Sequence, residues 1–180
     1  MALSSDETIK REIIDTIGVE INEFVARIFP EGSNDDQKLF EDGGLTFKDG
    51  HFTYGSCDCV YLKKTEDKEI PIIAIEGSDC LNRGSSGNAQ YQRVHHALGA
   101  VINGIIGVYY LKKGKHKIQP DLYAITYKIS EAYNTPYLVT SDLNVIKKIL
   151  TLMDQNKDRL EQYICEYLKK SYSIWDDKFN

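Results

Sequence analysis

The chain has 180 residues, of which 42% are hydrophobic and 27% charged, and a formal net charge of -5. That length supports one full hydrophobic core and is short for two, so residues 1–180 are read as a single domain. No long apolar run and no basic-then-apolar leader is present, which argues against a helical membrane span and a secretory signal and leads us to expect a soluble, cytoplasmic protein; the negative charge argues against a polybasic binder that depends on neutralising phosphates.

Ser4, three residues before Glu7, is a capping-box signature. The apolar positions Ile13, Ile14, Ile17, Ile21, Phe24, Val25 and Ile28 follow with helical period, so a long first helix is predicted to run to about Phe29 and stop at Pro30. Glu20 lies at the margin of that stripe, either as a solvated helix-edge acid or turned toward a functional site. Residues 31–42 are polar and rich in Gly, Ser, Asn and Asp, a loop composition. Leu45-Thr46-Phe47 and His51-Phe52-Thr53-Tyr54 around Lys48-Asp49-Gly50 predict a hairpin. Strands at Cys57 to Leu62 and Ile70 to Glu76 come next, the second apolar almost throughout, as a strand covered on both faces should be.

After the loop from Gly77 to Gly87, a helix carries Val94, Ala97, Leu98, Val101 and Ile102 on one face and ends at Gly104. Ile105 to Leu111 reads as a strand with a basic exit, Lys112, Lys113, Lys115 and Lys117. A helix from Pro120 to about Tyr133, a short strand Tyr137 to Thr140, a helix capped by Asp142 and a last helix from about Asn156 to Tyr172 complete the order. The fold class is α/β: a mixed central sheet with an antiparallel meander, flanked by helices. The four cysteines, Cys57, Cys59, Cys80 and Cys165, form no paired Cys-x-x-Cys arrangement and are read as reduced thiols. Cys57 and Cys59 alternate with Asp58 and are expected on the face opposite it.

Asp58 and Glu76 fall on adjacent strands and can meet at one end of the sheet. Strand alternation places Ala74, Glu76 and Ser78 on one side and Gly77 on the other. Phosphodiester hydrolysis needs a positioned water and charge to offset that building on the phosphate, and Mg2+ held by one or two carboxylates and a carbonyl can supply much of this. Asp58, Glu76 and the carbonyl of Gly77 form such a minimal metal set. The alternative is a pair of solvent-facing strand-end acids.

These residues, in this element order, resemble the PD-(D/E)XK nuclease superfamily, from the first helix to about Leu111. The resemblance implies a restriction-endonuclease-like core of helix, three strands, helix and strand, with Asp58 as the first acid, Glu76 as the second and Ser78 where the family usually has lysine. Ser78 departs from that pattern; hydrogen bonding by its hydroxyl, or a cation from elsewhere such as Lys63 or Arg83, would have to take over from the amine. Glu20 is a candidate third catalytic acid.

Arg83, Ser85 and Ser86 lead through Gly87 into a helix whose N-terminus offers free N–H groups to an anion. Gly87, Asn88, Ala89 and Arg93, followed by His95 and His96, are similar to the recognition segment of EcoRI-like type II restriction endonucleases. Asparagine can pair with adenine, arginine with guanine, and an alanine methyl can meet the thymine methyl. Asn88, Gln92, His95 and Gly99 lie away from the apolar stripe. Capping by Asn88 with solvated neighbours is the plainer alternative, and Arg93 could instead serve phosphate or an internal carboxylate. The resemblance implies a Mg2+-dependent, sequence-specific endonuclease for double-stranded DNA, acting as a homodimer because a palindromic site is met most simply by twofold symmetry. A shape-reading defence, repair or junction nuclease and a catalytically degenerate DNA-binding protein are the alternatives. No Gly-x-Gly-x-x-Gly, P-loop or nucleophile elbow supports a small-molecule enzyme.

Overall fold

A computed structural model describes residues 5–28, 57–65, 69–79, 87–114 and 116–179. The predicted loop 31–42, the hairpin around residues 45–54, Ser4 and Cys80 lie outside the described residues. Six strands form one mixed sheet in the order β1 (Glu20–Ile21), β2 (Phe24–Ile28), β3 (Cys59–Lys64), β4 (Glu69–Ser78), β5 (Ile106–Leu111) and β6 (Tyr137–Thr140). β1 to β4 pair antiparallel, whereas β4, β5 and β6 run parallel. The parallel half needs crossover helices, and the chain supplies them between β4 and β5 and between β5 and β6.

The first helix is shorter than its apolar periodicity predicts. α1 spans Ser5–Ile17, and Phe24, Val25 and Ile28 belong to β2 instead. Gly18 is the reason: at φ +111° it takes a conformation that L side chains rarely adopt, and its N–H donates to the Ile14 carbonyl at 2.8 Å to close the helix. Asn22, at φ +53°, then turns β1 into β2. The hydroxyl of buried Tyr61 donates to the Gly18 carbonyl at 2.7 Å, tying this corner to β3.

One face of the sheet is covered by α1, with Ile9, Ile13 and Ile17 on Cys59, Tyr61, Ile73 and Ile75, and by α5 (Asn144–Gln155) and α6 (Lys157–Phe179), which bring Ile146, Ile149, Leu150, Leu160 and Ile164. The other face carries α2 (Gly87–Val94), a 3₁₀ turn at His95–Ala97, α3 (Leu98–Ile102) and α4 (Pro120–Tyr133), with Val94, Ala97, Val101 and Leu122 against Tyr109, Tyr137 and Val139. Asn156 Oδ1 accepts the Arg159 N–H at 3.0 Å and caps the last helix, whereas Asp142, expected as the cap of α5, lies one residue before its N-cap Leu143 and accepts the Asn144 N–H at 3.0 Å in the turn leading in. Tyr167 of α6 donates to the Val139 carbonyl at 2.9 Å, covering the β6 edge.

Cys57 and Cys59 do not share a face. Cys59 packs in the cluster under α1, whereas Cys57 packs on the α2 side, because the regular alternation of β3 begins only at Cys59 and Asp58 sits in a bend before it. Among the described residues, no helix is long and apolar enough to cross a membrane.

Candidate active site

The start of β3 and the end of β4 meet at one end of the sheet, and Asp58 joins them. Its N–H donates to the Ile75 carbonyl at 2.9 Å, and its carboxylate Oδ2 accepts the Gly77 N–H at 2.7 Å. The side chain thereby takes the ladder position that a strand carbonyl would hold. Gly77 is required here for close approach: a Cβ would collide with the Ile9 side chain of α1 and lie 3.5 Å from Asp58 Oδ2. Because Gly77 has no side chain, α1 rests on the strand end, and Lys10 places its Nζ 3.8 Å from Asp58 Oδ1. Both side chains are only 10% exposed.

Glu76 points to the other face and is nearly fully buried. Its Oε1 lies 3.0 Å from Arg93 Nη1 and 3.0 Å from His96 Nδ1. Residues three apart along a helical run share a face, which is how one segment delivers both. Arg93 Nη1 also lies 3.4 Å from the Gly77 carbonyl oxygen. Arg93, a candidate base reader in sequence, thus turns inward to an acid. Ser78 follows on the Glu76 side, buried beside Tyr109. Among the described residues, the hydroxyls of Ser78, Tyr109 and Tyr137 have no hydrogen-bond partner. Burial pushes the Tyr109 phenol up to about 12, with the Arg93 charge pulling the other way.

Around this centre, Lys112 Nζ pairs with Glu12 Oε2 of α1 at 3.0 Å while its N–H donates to the Ser78 carbonyl at 2.9 Å. Asp79 is buried directly after β4. Asn88 and Gln92 on α2 and His95 in the 3₁₀ turn are exposed, and Ala89 is half-buried. Gln90 is fully buried, its Nε2 donating to the Lys117 carbonyl at 2.9 Å and its Oε1 accepting the Gln119 N–H at 3.0 Å, which fastens the segment before α4 to α2. Gly99, placed by helical phase among the outward positions, is buried, because the 3₁₀ turn rotates the helix that follows it. Arg83, Ser85 and Ser86 lie outside the described residues, as does Lys115.

The structure brings to this strand end Asp58 and Gly77 on the α1 side and Glu76, Ser78 and Arg93 on the α2 side, with the exposed α2 positions on the same helix as Arg93. It does not bring Glu20, which is exposed on β1 and three strands away from β4. Gly18 has already ended the helix that was expected to aim Glu20 inward. Lys63, considered as a replacement cation, pairs with Glu23 at 2.6 Å. The sequence singles out Lys112 only as part of a basic strip, and it points to neither Lys10 nor Glu12 as a site residue. Lys10 left a signal: it precedes Ile14 and Ile17 by four and seven residues, so it falls in phase with an apolar stripe where a lysine is out of place.

Asp58, Glu76 and the Gly77 carbonyl offer only oxygen donors, two of them from buried carboxylates, a set that fits a hard divalent cation. Among the described residues, no group of three or more His, Cys, Asp and Glu is gathered to hold a metal.

No protein-family model matches the chain, and no curated protein matches it. Among solved structures the chain is similar to the pre-specific restriction endonuclease BsaWI in complex with DNA, at 10% identity and a TM-score of 0.47, over 89% of this chain and 65% of that one.

Proposed function

We propose that this chain is a Mg2+-dependent endonuclease that hydrolyses double-stranded DNA at a defined sequence, a cytoplasmic type II restriction enzyme working as a homodimer. The observation that carries this reading is the burial of two acids, Asp58 and Glu76, at the same end of the paired strands β3 and β4, each with a cation beside it. The order α1, β2, β3, β4, α2 and β5 supports it, since it is the helix, three strands, helix and strand that the superfamily resemblance implies.

Asp58, Glu76 and the Gly77 carbonyl would hold the cation. When bound, it supplies charge against the phosphate and eases deprotonation of a water. The chain's own residues do the rest. The Gly77 N–H fixes one oxygen of Asp58, so that this carboxylate cannot rotate away from the strand end. Arg93 and His96 fix Glu76 Oε1 from the opposite side, and α2 and the 3₁₀ turn after it present Asn88, Gln92 and His95 outward, where a groove of DNA could be read.

Incubating plasmid with the purified chain and Mg2+ tests the proposal. Discrete fragments with uniform ends, lost in Asp58→Ala and Glu76→Ala, support it; cleavage that survives both substitutions overturns the site. The engagement of Glu76 Oε1 by two basic side chains favours a second reading, a DNA-binding protein on a silent nuclease core. Binding without cleavage under Mg2+, Mn2+ or Ca2+ would select it.

A further inference from the structure

We infer that Lys10 of α1 is the positioning cation of this site, doing from the helix what the acid-x-lysine pattern would do from Ser78. The inference rests on the nuclease reading and deepens it. Ser78 cannot take the lysine's place by facing a phosphate: only 3% exposed, it lies on the Glu76 side against Tyr109, turned into the protein. The ammonium of Lys10 lies instead beside the other acid, 3.8 Å from Asp58 Oδ1, with its side chain 10% exposed. Among the described residues, Arg93 and Lys112 also lie near the strand end, engaged by Glu76 and Glu12 and not by Asp58.

The fold has been shaped around this contact. Burying an ammonium is costly unless a partner offsets it, and the position in phase with Ile14 and Ile17 would ordinarily be apolar. Lys10 reaches Asp58 because α1 rests against Gly77, where any side chain would meet Ile9. A positive charge held in a water-poor corner is worth more to an incipient phosphate charge than the same charge in solvent, and it needs no rearrangement when that charge appears. Lys10 also faces the carboxylate proposed to hold the divalent cation. The two positive charges oppose each other there, so Lys10 should lower divalent affinity while raising the rate of the chemical step.

Lys10→Met, Lys10→Gln and Lys10→Arg in the full chain separate these effects. Three readouts apply: single-turnover plasmid cleavage with Mg2+, binding of a labelled duplex in Ca2+ by anisotropy, and Ca2+ binding by calorimetry. Removing the charge should slow cleavage about 100-fold, with duplex affinity within about threefold and Lys10→Arg recovering much of the rate. Ca2+ affinity should rise about tenfold in Lys10→Met and Lys10→Gln. Lys10→Gln retains a hydrogen-bonding group and supplies the answer if Lys10→Met does not fold. Cleavage within about threefold of wild type in a folded charge-removed variant, or unchanged Ca2+ affinity in both, overturns the inference. If the wild type cleaves nothing, the nuclease reading fails by itself; a raised Ca2+ affinity would then still support Lys10 as the cation of a divalent site, and an unchanged one would sink it.

Discussion

Replacing Arg93 by Met leaves Glu76 buried with His96 as its remaining basic neighbour, and the effect on stability can be bounded from the geometry. A unit charge pair 3.0 Å apart at an effective dielectric near 20 interacts by about 5 kcal/mol. The Arg93 side chain is 38% exposed, so water screens much of this, and His96 Nδ1 sits at the same distance from the same oxygen. A coupling of about 1–2 kcal/mol therefore remains as the expected value. The assay is urea unfolding of wild type, Arg93→Met, Glu76→Gln and the double variant. Arg93→Met should cost about 2 kcal/mol, and the double variant should be less destabilised than the two single losses together. A coupling below about 0.3 kcal/mol would refute the reasoning, because Arg93 would then be no partner of the acid in solution. The same result would return Arg93 to the outward-reading role that its neighbours suggest.

Gly77→Ala should destabilise the fold by about 1–3 kcal/mol and abolish cleavage, since the added methyl drives α1 off the strand end and carries Lys10 with it; unaltered melting would show that α1 is not seated as described. Asn88→Ala and Gln92→Ala, on the exposed side of α2, should weaken duplex binding by about 1–3 kcal/mol each without moving the urea midpoint, and loss of stability without loss of binding would contradict their assignment. Tyr137→Phe should leave stability unchanged or raise it by about 1 kcal/mol, because it removes a buried hydroxyl that has no partner among the described residues; a clear loss would mean that the hydroxyl is satisfied. Burial raises the Tyr109 phenol from 10.0 to about 12, so its contribution to stability is complete below pH 10 and disappears as pH rises through that window; Tyr109→Phe should flatten this part of the alkaline unfolding curve.

The parallel half of the fold was legible because its signals are local and agree with one another. β6 and α4 have the bounds that composition predicts, and Asn156 caps the helix it announces. The first helix failed where two signals competed. Apolar residues continue in helical phase through Ile28, but Gly18 and Asn22 adopt positive φ, and a backbone conformation outweighs a periodicity that also suits a half-buried hairpin. Gly18 is the terminator of α1, and β2 follows from it as the antiparallel neighbour of β3.

The site shows the same division between what strand alternation can say and what only packing decides. Alternation puts Glu76 and Ser78 on one face and Gly77 on the other, as found, but it cannot say which helix lies over each. That choice assigns the charges. With α2 over Glu76, Arg93 becomes an internal partner instead of a free base reader; with α1 over Gly77, a lysine 48 residues before Asp58 in sequence becomes its neighbour. An acid-x-lysine triplet would carry acid and amine on one strand; with Ser78 in that place, a cation beside Asp58 has to come from an element that crosses the strand end. α1 crosses it, and at Lys10 it breaks its own apolar stripe to do so. A substitution at 78 alone, Ser78→Lys, is therefore expected to destabilise the chain and not to improve it, because the new ammonium would enter the corner closed by Tyr109 on the Glu76 side. Faster cleavage by folded Ser78→Lys would show that the strand position is open to substrate, and Lys10 would lose its claim to that role.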